Sequence, residues 1–241
     1  MILRPLLRKK SMAYYHDLVT EESWRELTEL RKRVDFVLIG GWAVYLFTNS
    51  LKSKDIDILV GYDQLTRIKR WYTLSKNDRL HKYEAIRGQI QIDIYLPHYS
   101  MIGIPVETLL AHTVLVEGFR VLSPEYLIVL KLATLSERGR TPKGHKDFLD
   151  IISLLLALPP EAGKAARALV QHHHLGGSTA LFHTLLGETT SIPELSLNPH
   201  QMKKLKTSNN VLYLRSYLPI WKPKPNFLIS PFHKRMCGRM K

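Results

Sequence analysis

Acidic residues are missing from both ends of this 241-residue chain. Residues 1–16 hold four Lys or Arg and no Asp or Glu, and residues 195–241 hold ten and none. The 178 residues between them carry 21 of each sign, so the formal charge of +14 comes entirely from the ends. A polyanionic partner is therefore expected at these arms and not on the neutral body. Cysteine is nearly absent. The single Cys237 excludes an intramolecular disulfide framework and suits a reducing cytoplasm. No apolar run approaches the roughly 18 residues that span a bilayer, so no membrane partner is expected. The first ten residues lack the apolar stretch and cleavage site of a secretion signal. No internal repeat is visible.

What is present suffices for a buried core, since 45% of the residues are hydrophobic. Periodicity and punctuation predict an α/β (α+β) chain: a basic arm over 1–16, a mixed sheet with flanking helices over 17–122, a helical domain over 123–194 and a basic arm over 195–241. A helix opens at Thr20-Glu21-Glu22, with Trp24, Leu27 and Leu30 on one face and Arg31, Lys32 and Arg33 at its C-terminal dipole. Strands are expected near 34–39 and 55–60, a helix near 63–75, and a hairpin of 82–87 with 89–96 about Gly88. A second hairpin turns at Glu117-Gly118. Ser123-Pro124-Glu125 combines a cap, an N1 proline and an acid, so a helix runs from there to Arg138 and stops at Gly139. Further helices are expected over about 145–157, 160–174 and 178–187.

Chemistry concentrates on the first strands. Phe36-Val-Leu-Ile-Gly40-Gly41 is an apolar strand ended by a glycine pair, and Trp42–Phe47 reads as a short helix after it. Ser53-Lys54-Asp55-Ile56-Asp57-Ile58-Leu59-Val60 then alternates, which puts Asp55 and Asp57 on one side of a strand. About 7 Å apart, two ionised carboxylates repel unless a cation bridges them. A hard divalent ion, most often Mg²⁺ with a substrate phosphate completing its shell, is the natural bridge. Gln89–Leu96 alternates as strictly and leaves Asp93 on the polar face between Gln91 and Tyr95. If these strands are neighbours, three carboxylates converge, as a two-metal site requires. The glycines allow close backbone approach, and the free N–H groups of the following helix form a phosphate cradle. A solvated Asp-x-Asp edge and a tight packing turn are the plain alternatives.

Gly-Gly, a spacer, Asp-x-Asp and an acid on a later strand form the signature of the nucleotidyltransferase superfamily, which shares its fold with DNA polymerase β. Gly40, Gly41, Asp55, Asp57 and Asp93 fill those positions in order, and the chain resembles that superfamily. Pro124–Arg138 and Lys146-Asp147-Phe-Leu-Asp150-Ile151 resemble the helical half of AbiEii-like nucleotidyltransferases, a group that includes toxins of abortive-infection and toxin–antitoxin systems. The matching stretch runs from about Phe36 to Leu156. One departure is Leu51, where the family often carries an Arg four residues before the first Asp; Lys52 and Lys54 nearby bring charge without Arg's fork.

The resemblance implies Mg²⁺-dependent transfer of a nucleoside monophosphate from an NTP to an acceptor hydroxyl. Two Mg²⁺ ions would be held by Asp55 and Asp57, with Asp93 completing the catalytic one. Gly40, Gly41 and Ser53 would cradle the triphosphate and Lys54 would add charge there. Lys131, Lys146 and Asp147 would reach the nucleotide from the helical side. An RNA acceptor such as the tRNA 3′ end, touching the basic arms, and an antitoxin protein partner follow from the same likeness.

Other readings stand beside it. Lys131 interrupts an apolar helix and either snorkels to solvent or enters the cleft. Asp147 and Asp150 share a helix face near its N-terminus, where acids are favourable in any case. His172, His173, His174 and His183 lack ligand spacing and read as exposed helix-end residues. The C-terminal arm interleaves its cations with Tyr213, Tyr217, Trp221, Phe227 and Phe232, which suits phosphate contact and base stacking but also simple back-folding. A transferase acting on a small molecule or a protein hydroxyl, and a non-catalytic nucleic-acid-binding module, are the alternative functions.

Overall fold

Alternating apolar residues organise the sheet, and a computed structural model describes it over residues 17–215. The elements run α1 (Asp17–Arg31), β1 (Val37–Ile39), α2 (Gly40–Thr48), β2 (Ile56–Leu59), α3 (Tyr62–Ile68), β3 (Leu74–Asn77), β4 (Lys82–Arg87), β5 (Ile90–Tyr95), α4 (Val106–Ala111), β6 (Thr113–Val116) and β7 (Phe119–Leu122). Six helices follow: α5 (Pro124–Arg138), α6 (Pro142–Ala157), α7 (Pro160–His172), α8 (Thr179–Glu188), α9 (Pro199–Lys206) and α10 (Asn209–Arg215). The expected arm of 1–16, and Tyr217, Trp221, Phe227, Phe232 and Cys237, lie outside the described residues. Among the described residues no helix is long and apolar enough to cross a membrane.

The seven strands form one mixed sheet in the order β3-β4-β5-β2-β1-β7-β6. β1 pairs parallel with β7 and β2 pairs parallel with β5; the other neighbours are antiparallel. Ile56, Ile58, Ile92 and Ile94 are fully buried, as the period-two pattern requires. α1 covers this assembly with Leu27 and Leu30, and Trp42 of α2 donates to Ser23 Oγ of α1 at 2.8 Å. α2 also packs on α5 and α6, so the helical half is docked beside the turn at Gly40.

Several boundaries differ from the sequence expectation. The helix expected over 63–75 ends at Ile68, and Leu74–Asn77 is an edge strand paired with β4. Pairing with a neighbour, which local periodicity does not register, decides that segment. β1 and β2 are shorter than read. α6 starts at Pro142, where Thr141 Oγ1 accepts from Gly144 N at 3.2 Å. The largest change is at the C-terminal side. Residues 199–215, expected within a basic arm, form α9 and α10, and Met202, Leu205, Val211 and Leu214 are buried against the helical body. Their apolar spacing, masked by the surrounding lysines, carries the packing.

Asn210 anchors that addition. Its Nδ2 donates to the carbonyls of Leu155 and Leu158 at 2.9 and 3.0 Å, and its Oδ1 accepts from Gly163 N at 3.2 Å. One buried amide thus satisfies the end of α6 and the start of α7. Asn210→Ala leaves these groups unpaired and is expected to cost about 2–3 kcal/mol. A thermal scan should show a Tm lowered by roughly 4–12 °C; an unchanged Tm would mean residues 199–215 do not buttress the body.

Candidate active site

The strand registers place five residues in one row across the sheet. Ser75 faces Glu84, Glu84 faces Asp93, Asp93 faces Asp57, and Asp57 faces Ile39, the last residue before Gly40. Neighbouring strands stand about 4.8 Å apart, so Glu84, Asp93 and Asp57 are consecutive carboxylates on one face. Asp55 lies two residues before Asp57, just ahead of β2. Asp57 and Asp93 therefore meet as the sequence pattern expected.

Gly40 is where this row meets α2. Its φ of 68° lies in the left-handed region, and a Cβ there would collide with Asp57 Oδ2. A Cβ on Gly41 would stand 2.6 Å from Ser53 Oγ and 3.1 Å from Lys146 Nζ. The head of α2 thus touches Asp57 on one side and Ser53 with Lys146 on the other. Ile39 provides no side-chain cap and no acid occupies the first turn, so the α2 N–H groups face this corner with their positive end of the helix dipole.

Electrostatics follow from the crowding. Burial first, then Asp93 and Asp55, push Asp57 up to about 7, while Lys131 and Arg138 oppose the rise. Burial and Asp93 also raise Asp55, against Lys54 and Lys143. Burial, helped by Asp57 and Asp93, pushes the Tyr95 hydroxyl well above its ordinary value, so it remains a donor.

Asp93 has partners already. Lys82 Nζ donates to its Oδ2 at 2.5 Å and Gln91 Nε2 to its Oδ1 at 2.7 Å. Lys82 is buried and also pairs with Glu84 at 3.0 Å. Burial alone would lower the Lys82 ammonium, but Asp93 and Glu84 outweigh it and the net shift is upward. Among the described residues, no three His, Cys, Asp or Glu side chains stand as a ready-made metal cluster. The trio of Asp55, Asp57 and Asp93 shares a face, and both oxygens of Asp93 are already engaged, one by Lys82 and one by Gln91.

The helical half contributes a buried ionic lattice. Lys131 Nζ lies 2.8 Å from Asp147 Oδ1 and 2.7 Å from Asp150 Oδ2. Lys146 Nζ lies 3.1 Å from both oxygens of Asp150, and Arg138 lies 2.7 Å from Asp147 Oδ2. Burial works against the charge on Lys131, but Asp150 and Asp147 reverse the balance and raise it. For Lys146 burial prevails and the shift is downward despite Asp150. Asp147 gives both its oxygens to Lys131 and Arg138, so it holds cations in place and presents no open group to a nucleotide. Lys131 is likewise clasped by two carboxylates; Lys146 is the lysine that touches the glycine corner.

Sequence reasoning missed Lys82, Glu84, Arg138 and Lys143. The first two had a signal: the hairpin about Gly88 sets Arg87 opposite Ile90, and counting back sets Glu84 opposite Asp93. Lys143 and Arg138 reach the carboxylates only because α5 and α6 dock beside α2, which no local pattern encodes.

No family model matches the chain, and no curated protein does. Among solved structures, JHP933 from Helicobacter pylori gives a TM-score of 0.44 at 16% identity, covering 86% of this chain and 95% of that one. The antibiotic-resistance factor ANT(2″)-Ia gives 0.46 at 15% identity, over 69% of this chain and 97% of its own. An antigenic nucleotidyltransferase-like protein from Paracoccidioides brasiliensis gives 0.38 at 18% identity, over 72% and 100%.

The raised Asp57 makes stability depend on pH. The native chain keeps this proton to about 7, whereas the unfolded chain releases it near 4. Between those values the native state binds more protons, so stability falls as pH rises and the cost is full above 7. Asp57→Asn removes the titration. In EDTA it should raise Tm by several degrees at pH 8 and by little at pH 4; equal shifts at both would show that the neighbours do not load this carboxylate.

Proposed function

We propose that the chain is a Mg²⁺-dependent nucleotidyltransferase that moves a nucleoside monophosphate from an NTP onto an acceptor hydroxyl and releases pyrophosphate. The observation that carries the reading is the pairing of Asp57 with Asp93 directly against the glycine head of α2. It joins repelling carboxylates, which favour a divalent cation, to uncapped helix N–H groups, which favour phosphate. The donor set fits magnesium in kind: Asp55 and Asp57 would hold two ions, with Asp93 shared between them and Lys82. When bound, the metal neutralises charge at the attacking and leaving oxygens of an in-line displacement.

The chain's own groups do the rest. Gly40 and Gly41 N–H, Ser53 Oγ and Lys146 Nζ bind triphosphate oxygens. Lys54 and Lys143 flank Asp55 and favour entry of an anionic substrate. Arg138 and Lys131, held by Asp147 and Asp150, supply positive potential to Asp57. As the acceptor oxygen bonds to the α-phosphorus, its proton passes to Asp93. The α–β bridging bond breaks and pyrophosphate leaves. The acceptor in this reading is RNA, with the tRNA 3′ end first, in keeping with the acid-free ends of the chain. The AbiEii-like resemblance extends the reading to a toxin restrained by an antitoxin.

Each of the four labelled NTPs, incubated with bulk tRNA and Mg²⁺, tests the proposal. Transfer is expected with at least one, absent in EDTA, and reduced on the order of 1,000-fold by Asp57→Ala with the fold retained. No transfer to tRNA, to other RNA or to small-molecule hydroxyls would sink it. The contribution of the C-terminal arm is tested by truncation after Arg215, because a cut at 195 removes buried Met202 and Val211.

Lys82 competes with a cation for Asp93. Lys82→Met should therefore tighten Mn²⁺ binding several-fold, read by electron paramagnetic resonance of the free ion; unchanged affinity would mean Asp93 takes no part in holding metal.

A further inference from the structure

A second concentration of charge lies at the other end of β1. That strand enters from Val34-Asp35-Phe36 and leaves at Gly40, so its entry is on the order of 10–15 Å from the carboxylate row. There the end of α1, Arg67 of α3 and the β6–β7 turn line a hollow of about 320 Å³. Its wall carries Arg31, Lys32, Arg33, Arg67 and Arg120 against a single acid, Asp35. A second hollow of about 430 Å³ is lined by Lys69, Arg70, Trp71 and the three residues after them. The two adjoin at Arg33, whose guanidinium lies 4.4 Å over the ring of Trp71.

Some of these cations have local partners. Arg31 donates to the Glu117 carbonyl at 3.0 Å and lies 4.3 Å over Phe119. Lys32 and Arg33 pair with Glu29 at 2.5 and 3.6 Å, and Arg120 pairs with Asp35 at 3.5 Å. Arg67, Lys69 and Arg70 are exposed and have no ion pair among the described residues. A helix C-terminus favours basic residues on its own account. Neither helix end requires that both converge, with Arg120 of β7, on one face. Since residues 17–194 hold equal numbers of acids and bases, gathering seven cations here polarises an otherwise neutral body. Trp71 is 57% exposed. A half-exposed indole with Arg33 over one face and the unpaired Lys69 and Arg70 beside it in sequence is suited to stacking a base while the cations take phosphates.

We propose that this face binds a single-stranded polynucleotide, with phosphates on Arg67, Lys69, Arg70 and Arg120 and a base on Trp71. The guanidinium already lying on the Trp71 ring, a stacked contact that a base can extend, favours this over a lipid surface. The site stands apart from the transferase reading, because such binding needs neither metal nor NTP.

Fluorescence anisotropy with the full chain tests it, using labelled single-stranded RNA and DNA of about 12 nucleotides in EDTA over a range of salt. The combined variant Arg67→Glu, Lys69→Glu, Arg70→Glu should weaken binding at least about tenfold and flatten the slope of log affinity against log salt by about 2. Trp71→Ala should weaken it roughly fivefold or more, and Trp71→Phe should restore most of the loss. Comparison of the two probes tells RNA from DNA. Unchanged binding in the triple variant overturns the proposal. So does an equal loss in the control Lys164→Glu, Lys203→Glu, Lys204→Glu, or capture of phosphatidylserine vesicles with the same dependence on these residues. Failure to detect nucleotide transfer leaves this result untouched, since the assay contains no NTP and no divalent ion.

Discussion

Everything at the candidate site depends on β2 running parallel to β5 with Asp57 opposite Asp93. That register puts two carboxylates on adjacent strands at the same height, and Glu84 continues the line on β4. A slip of one residue would bury the acids and expose the isoleucines. The apolar face, anchored by Ile56, Ile58, Ile92 and Ile94, thus enforces a charge arrangement that would not assemble by itself. The core holds the like charges together.

Compensation comes from two directions. Lys82, next to the row, gives Asp93 and Glu84 a shared ammonium. Lys131 and Arg138 oppose the rise at Asp57 from the helical half. Buried ion pairs of this kind add little stability over well-packed apolar residues. Their placement beside Gly41 and Asp57 is better understood as positioning: Asp147 and Asp150 hold three cations, one of which reaches the head of α2. α5 and α6 therefore belong to the site as much as the strands do.

The same folding sorts the remaining charge. A body with equal acids and bases carries interleaved acids and cations at one end of β1 and a surplus of cations at the other. Net charge, a sum over sequence, is blind to this separation. The consequence is that polyanion binding need not be confined to the acid-free ends of the chain.

Local pattern was enough to read the glycine turn, the alternation that aligns Asp55 with Asp57, the hairpins at Gly88 and Gly118, and the helix from Pro124 to Arg138. Each is decided by neighbours within a few residues, through backbone sterics, side-chain alternation or capping. The edge strand at Leu74, the folded α9 and α10, the pairing of Asp93 with Lys82, and the approach of Lys146 to Gly41 were decided by tertiary structure. They join residues far apart in the chain, and in each the winning term is a pairing or burial energy that exists only once the distant partner has arrived.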